Sequence, residues 1–202
     1  MTDPVSWSPG SDPVPSTVRQ QRDQYFDELI GLPVPLTPAN VKSRGLALGV
    51  PLPNQTEIPA LPNRTVLIAT FRSYQPVLSM SGRAIYTEVT FSVSNTFEDA
   101  TGSIQPGSSV VVILPGGTAA TQGLVLSFLT QRRMYSVAPG GTYLLAASYH
   151  SKGNFYSLGK DWDLTTGIVV PDFPPSRQIP STLVGLTLQQ LITRLNAQFG
   201  IQ

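Results

Sequence analysis

Residues 85–93 read IYTEVTFSV, and this short stretch decides the fold class of the chain. Successive side chains of an extended chain point to opposite faces, so the apolar residues of this stretch share one face. That face carries Ile85, Thr87, Val89, Phe91 and Val93, and the other face carries Tyr86, Glu88, Thr90 and Ser92. The alternation predicts a strand whose second face is mostly exposed to solvent. Tyr86 and Glu88 are expected there to cover a neighbouring strand, or to meet Arg83 or a cross-strand partner.

Short β-rich segments with turn residues between them lie on both sides of this stretch. They are VLIATF (66–71), SSVVVIL (108–114), LVLSF (124–128), TYLLAASY (142–149) and NFYSLG (154–159), with GIVV (167–170) as a candidate last strand. PGG occurs twice, at 115–117 and at 139–141. This spacing predicts an antiparallel barrel or sandwich of five or six strands.

A helix is predicted on each side of the β-rich region. The first follows STVRQQRDQYFDELIG, with Ser16 or Thr17 as N-cap. The second follows LTLQQLITRLNAQFG, with Thr187 as N-cap and Gly200 as C-cap. The chain therefore divides into a disordered N-terminus (1–15), a helix plus proline-rich wrapping segment (16–63), a β-barrel domain (64–170), and a tether with a helix packed on the barrel (171–202).

Composition excludes several classes of site. The 13 basic and 12 acidic side chains leave a net charge of +1, which gives no long-range attraction for nucleic acid. Cysteine is absent, so the chain has no disulfide framework and no thiolate metal site. No apolar run reaches the roughly 18 residues of a transmembrane helix. The first residues, MTDPVSWSPG, do not have the pattern of a signal peptide, which keeps a cytoplasmic location open.

The segments VLIATF, GRAIYTEVTFSVSNTFED, SSVVVILPGG and GGTYLLAASYHSKGNFYSLGKDW together resemble a recurring domain of bacterial exported proteins of unknown function. The resemblance covers about residues 64–195. It implies a mainly β fold, a small OB-like closed barrel with flanking helices, and an extracytoplasmic location, periplasmic or secreted. It implies no reaction. This chain differs from the pattern at Ala146–Ala147, where larger apolar residues are common.

The leading functional hypothesis is a non-enzymatic binding or structural module of the bacterial cell envelope, without cofactor. Its partner is expected to be a protein, a peptide or a polysaccharide. The contacts are expected in loops at the barrel mouth, chiefly 115–123 and 130–141, since binding residues concentrate on such loops. The candidate ligand-binding residues are Tyr74, Gly116, Gly117, Arg132, Arg133 and Tyr135.

Two alternative hypotheses remain open. A hydrolase would need Glu88, His150, Asp161 and Asp163 to converge in one pocket. Asp161 and Asp163 are also weak candidates for a metal site, although DLTTG (163–167) is more typical of a hairpin turn. His150, the only histidine, is expected to lie partly exposed at a turn. A single-stranded nucleic-acid-binding OB-fold protein would use a surface of arginines and tyrosines, here Arg72, Arg83, Arg132, Arg133, Tyr74 and Tyr135.

Overall fold

A computed structural model describes residues 5–6, 14–32, 35, 58–121, 124–128, 140–171 and 182–201. Two helices and nine strands lie within these ranges. In chain order they are β1 (Val5–Ser6), α1 (Ser16–Ile30), β2 (Arg64–Leu78), β3 (Ile85–Glu98), β4 (Ser109–Pro115), β5 (Gly117–Thr121), β6 (Leu124–Phe128), β7 (Thr142–His150), β8 (Phe155–Asp163), β9 (Val170–Pro171) and α2 (Leu188–Phe199).

Five strands close into a barrel. Their order is β4-β3-β2-β7-β8, all antiparallel neighbours, and a parallel pairing of β4 with β8 completes the ring. This is the strand order of the small OB-type barrel, so the mainly β fold class with flanking helices is confirmed. The parallel contact is short, because it joins only Val112 to Tyr156 and Ile113 to Ser157.

The segment LVLSF, predicted as one of the barrel strands, lies outside the barrel. It forms β6 and pairs with β5, and β1 joins the other edge of β5 in a parallel pairing. The chain leaves the barrel at Gly116 and Gly117, whose φ angles of 92° and 145° strongly favour glycine. Residues 117–121 are therefore a strand, and the prediction that 115–123 form a loop was wrong there.

The barrel is closely filled. Thirteen buried side chains from β2, β3, β4, β7 and β8 form its interior cluster: Leu67, Ala69, Phe71, Val89, Phe91, Val93, Val110, Val112, Leu114, Tyr143, Leu145, Ala147 and Tyr156. Packing of this kind excludes water and makes the barrel a rigid support for groups placed around it.

The two helices cover separate outer surfaces of the barrel. α2 inserts Leu191 and Leu195 into a cluster that includes Ile68 and Trp162. Ile58, from the segment before β2, is buried in the same cluster. Residues 33–34 and 36–57 of the predicted wrapping segment lie outside the described residues. No helix in the described ranges combines the length and apolar character that a membrane span requires.

α1 packs on the outward face of β3, and this overturns one prediction from the sequence. Phe26 and Ile30 pack with Tyr86, Ile113 and Phe155 in a third cluster. Tyr86 is fully buried and Glu88 is only 8% exposed, so this part of the polar face of β3 is not solvent-exposed, whereas Thr90 and Ser92 are half-buried. Val89, Phe91 and Val93 face the barrel interior as predicted, whereas Ile85 packs with Tyr86 in the outer cluster. The helix covers the Tyr86–Glu88 part of the second face.

Candidate functional site

A buried network of charged side chains joins α1 to β3. One terminal nitrogen of Arg19 donates to Tyr86 Oη at 2.7 Å and to Glu88 Oε1 at 2.5 Å. Arg22 Nη1 donates to the same Glu88 oxygen at 2.8 Å, and Tyr86 Oη donates to Asp23 Oδ1 at 2.7 Å. Both arginines are about 4% exposed. Each charged member of the network thus has at least one partner of opposite charge or a hydrogen bond, as buried charges require.

The same helix also binds the loops on either side of β3. Arg22 donates from Nε to the carbonyl of Gly153 and from Nη2 to the carbonyl of Asn154, both at 2.8 Å, in the turn between β7 and β8. On the other side, the Met80 backbone N–H donates to Asp23 Oδ2 at 3.0 Å. α1 is therefore attached to the turn after β7 and to the loop after β2.

These contacts define which surface of the barrel α1 occupies. OB barrels bind oligonucleotides and oligosaccharides on the face of their second and third strands, between the loop that joins strands 1 and 2 and the loop that joins strands 4 and 5. In this chain those parts are β3 and β4, with loops 79–84 and 151–154. α1 fills that groove.

Burial changes the acid–base properties of the network. Burial raises the pKa of the Asp23 carboxyl above its ordinary value of 3.8, although hydrogen bonds from Tyr86 and Met80 act against this. Burial, followed by the negative charge of Asp23, raises the pKa of the Tyr86 phenol far above its ordinary value of 10. The phenol therefore stays protonated and keeps donating to Asp23.

A polar pocket opens beside the network where the barrel seam begins; it is called the mouth pocket below. The parallel pairing of β4 and β8 starts at Val112 and Tyr156. On the N-terminal side of these residues β4 and β8 are not paired, and the gap between loop 99–108 and turn 151–154 leaves a cavity of about 250 Å³. Its polar lining residues are Arg22, Thr101, Ser103, Ser108, Ser109, Tyr149, Asn154 and Tyr156.

The walls of the mouth pocket are held in place by short-range hydrogen bonds. Asp99 accepts from the backbone N–H groups of Thr101 and Ile104, at 2.8 and 2.7 Å, and from the Thr101 hydroxyl at 2.8 Å. Burial acts to raise the pKa of Asp99, but these hydrogen bonds outweigh it and hold the pKa below its ordinary value. Burial and the nearby Asp99 raise the pKa of Tyr156 to about 12.

The four residues of the hydrolase hypothesis do not converge. Glu88 is bound by two arginines beneath α1. The His150 ring stacks on Phe155 at 4.6 Å between centroids, and its Nε2 lies 2.8 Å from Ser157 Oγ. Asp161 lies six residues beyond Phe155 on β8, about 20 Å along an extended strand.

The predicted turn after β8 is confirmed, and it engages one of the metal candidates. Asp163 Oδ1 accepts from the Thr165 backbone N–H at 2.7 Å, and the Gly167 N–H donates to the Leu164 carbonyl at 2.8 Å. β8 and β9 pair antiparallel across this turn. In the part of the chain that the structure describes, no three His, Asp or Glu side chains gather as a metal site would require.

The predicted ligand-binding residues do not line the mouth pocket where they can be placed. Arg132, Arg133 and Tyr135 lie outside the described residues. Tyr74 is half-buried and stacks with Phe71 at 6.3 Å between ring centroids. Gly116 and Gly117 are buried, and the Gly116 carbonyl accepts from the Thr87 hydroxyl at 2.7 Å.

Sequence reasoning missed Arg22 and the charged network, although a signal for them exists. The buried residues of α1 are Arg19, Arg22, Asp23, Phe26 and Ile30. Their spacing follows one face of a helix, so the face that packs on the barrel includes three charged side chains. A charged residue on the same helical face as buried aromatic and aliphatic residues indicates a buried partner elsewhere in the chain.

Comparison with known proteins adds no family to this description. A scan against protein-family models finds no match to the chain, and a search of curated proteins finds none either.

Proposed function

We propose that this chain is a non-enzymatic binding module of the bacterial cell envelope, and that it engages its partner at the mouth pocket. The observation that carries this proposal is the composition of the pocket. Hydroxyl, amide and guanidinium groups line a preorganised cavity at the end of a rigid barrel. Small-molecule and polymer sites in proteins commonly combine a formed cavity with a few fixed polar groups.

The state of the acid–base groups supports a binding role over hydrolysis. A general acid or base must reach a substrate proton within hydrogen-bond distance. Glu88 is enclosed by Arg19 and Arg22, and His150 lies against Phe155 and Ser157. The only histidine of the chain and the one glutamate of the proposed set therefore support the fold where they lie.

The occupied groove argues against the nucleic-acid alternative. A single strand needs a positive channel with aromatic platforms. α1 covers the face that would supply it, and the open cleft of about 630 Å³ beside α1 is lined by Asp23, Asp27 and Glu28, with Arg83 as its one cation among the described lining residues. Arg83 Nε donates to the Leu32 carbonyl at 2.6 Å. Phosphate groups would meet a mainly acidic surface there.

The envelope location follows from the resemblance of residues 64–195 to domains of bacterial exported proteins. A protein, a peptide or a polysaccharide of the envelope could each occupy the mouth pocket, since all three offer hydrogen-bonding groups. The partner must present a polar group small enough to enter a cavity of about 250 Å³.

Cosedimentation with purified bacterial cell-wall and envelope fragments tests the proposal. The full chain is expected to sediment with them, and Ser109→Trp, which fills the mouth pocket, is expected to reduce the bound fraction at least fivefold. Thr166→Trp is the matched control, because Thr166 is exposed in the turn between β8 and β9. Equal sedimentation of the two variants would contradict the proposal, as would retention on single-stranded DNA that disappears with moderate salt.

A further inference from the structure

We infer that the mouth pocket binds one neutral pyranose unit of an envelope polysaccharide. This inference rests on the proposed binding function and assigns the ligand class of the same site. Four properties of the pocket carry it: its size, its unused donors, its charge balance and its aromatic wall.

The size of the pocket fits a single sugar ring. A volume of about 250 Å³ lies just below the range for sites of drug-sized ligands, which is roughly 300–1,000 Å³, so the occupant must be a smaller unit. The pocket is partly open to solvent, so a polysaccharide chain could continue outward from a seated ring. A folded protein surface would need a far larger contact area.

Arg22 supplies donors that the fold does not use. A guanidinium has five N–H groups. Three are engaged: Nε with Gly153, one on Nη1 with Glu88, and one on Nη2 with Asn154. One N–H on each terminal nitrogen is left without an acceptor among the residues that the structure describes. Because Arg22 is about 4% exposed and lines the pocket, two hydroxyl oxygens of a sugar could satisfy both donors.

The charge balance of the pocket favours a neutral ligand over an anion. Arg22 shares the Glu88 carboxylate with Arg19, and Asp23 brings a second carboxyl group to the same network, so two arginines are set against two carboxyl groups. The Asp99 carboxylate accepts hydrogen bonds within loop 99–108 and acts electrostatically on Tyr156. A bound anion would meet that negative charge, whereas a neutral polyol needs donors and acceptors in similar number. Serine and threonine hydroxyls supply both.

Tyr149 provides an aromatic wall at a fixed angle. Its ring lies 5.0 Å from Tyr156 between centroids, and its hydroxyl donates to Asn154 Oδ1 at 3.1 Å. Tyr149 is half-buried and lines the pocket. An apolar ring surface beside hydrogen-bonding groups suits a pyranose, which has an apolar C–H face and a hydroxyl-bearing rim.

Amide shift mapping by NMR on the full ¹⁵N-labelled chain tests the inference. The probes are glucose, galactose and N-acetylglucosamine, with glucuronate as the anionic comparison. At least one neutral sugar is expected to shift amides of residues 99–109 and 149–156 in a saturable way, and glucuronate is expected to bind at least threefold more weakly. Tyr149→Ala should weaken the neutral sugar at least fivefold, whereas Tyr149→Phe, which keeps the ring, should weaken it less than threefold.

The outcomes separate this inference from the proposed function. If Ser109→Trp abolishes sedimentation with the envelope but no neutral sugar shifts the mouth-pocket amides, the inference is wrong and the binding function stands. Tighter binding of glucuronate than of every neutral sugar also overturns the inference. If Ser109→Trp changes neither sedimentation nor sugar binding, both are wrong. Shifts confined to other regions of the chain contradict the assignment of this pocket.

Discussion

Glu88 illustrates at the scale of a single residue how this chain uses charge. It lies beneath a helix and accepts from two arginines. If the Glu88 carboxylate is neutralised, Arg19 and Arg22 stay charged and buried without it. The free-energy cost of leaving them so is larger than the net contribution of the intact ion pairs to stability.

Glu88→Gln is therefore expected to lower the free energy of unfolding by about 3–5 kcal/mol, measured by urea denaturation. The matched control is Glu98→Gln, which removes the partly exposed pair between Glu98 and Arg64. That variant should cost no more than about 1 kcal/mol. Equal losses of unfolding free energy for the two variants would contradict the claim that the buried arginines depend on Glu88 more strongly than Arg64 depends on Glu98.

His150 gives a second prediction at this scale. Burial lowers its pKa below the ordinary value of 6.5, so the folded state binds a proton less readily than the unfolded chain. Stability attributable to this residue is therefore full above about pH 6.5 and declines as the pH falls toward the folded-state pKa. Because the chain has one histidine, its imidazole ¹H resonance can be titrated directly. The expected midpoint lies below 6.5, and a midpoint above it would contradict the prediction.

The sequence could predict the strand at 85–93 but not what lies on its polar face. Tyr86 and Glu88 alternate with apolar residues whether that face meets water or a polar second layer. The covering residues Arg19 and Arg22 lie more than sixty positions earlier in the sequence. The periodicity of a short stretch cannot predict contacts with residues so far away along the chain. Only the helical spacing of those arginines with Phe26 indicates from the sequence that they are buried.

The two helices differ at the scale of elements in how their ends are stabilised. α2 has a capping box, in which the Thr187 side chain accepts from the Gln190 N–H and the Gln190 side chain accepts from the Thr187 N–H. Its C-cap is Gly200 in the left-handed conformation, as predicted. α1 begins after Pro15 with no side-chain cap, so the prediction of Ser16 or Thr17 as N-cap was wrong.

Thr187→Ala is expected to destabilise the protein by about 1 kcal/mol, because it removes the hydrogen bond to the first turn of α2. Ser16→Ala should change the free energy of unfolding by less than about 0.5 kcal/mol, since Ser16 caps nothing and is exposed. Thermal or urea unfolding of both variants provides the measurement. A larger effect at Ser16 than at Thr187 would contradict the cap assignment.

The strands show why element type is easier to predict than element placement. LVLSF has the same β-rich texture as the barrel strands, and nothing in its composition separates it from them. The two glycines at 116–117 redirect the chain, and their positive φ angles are visible only in the structure. GTAAT, by contrast, combines two threonines with a glycine and two alanines, which are depleted in strands, so its own preference is mixed and its pairing with β6 owes more to tertiary context.

At the scale of the whole molecule, the barrel with two helices could be predicted, whereas the mouth pocket could not. Strand number and helix positions follow from periodicity and turn residues. The pocket depends on where β4 and β8 stop pairing, and on the approach of loop 99–108 to turn 151–154. Those two segments are about fifty residues apart, and neither contains a recognisable motif.

The helix in the groove has a consequence for the autonomy of the barrel. α1 is a continuous stretch of fifteen residues, and Arg19, Arg22 and Asp23, which contact Tyr86 and Glu88, all belong to it. A chain that begins after residue 30 should therefore take up a synthetic peptide of residues 14–32 supplied separately. Fluorescence anisotropy of the labelled peptide should show saturable binding, at least tenfold weaker for an Arg22→Ala peptide. Such complementation would show that the helix can be exchanged. The barrel without it could then serve as a scaffold for selecting other short helices that carry two arginines at the positions of Arg19 and Arg22.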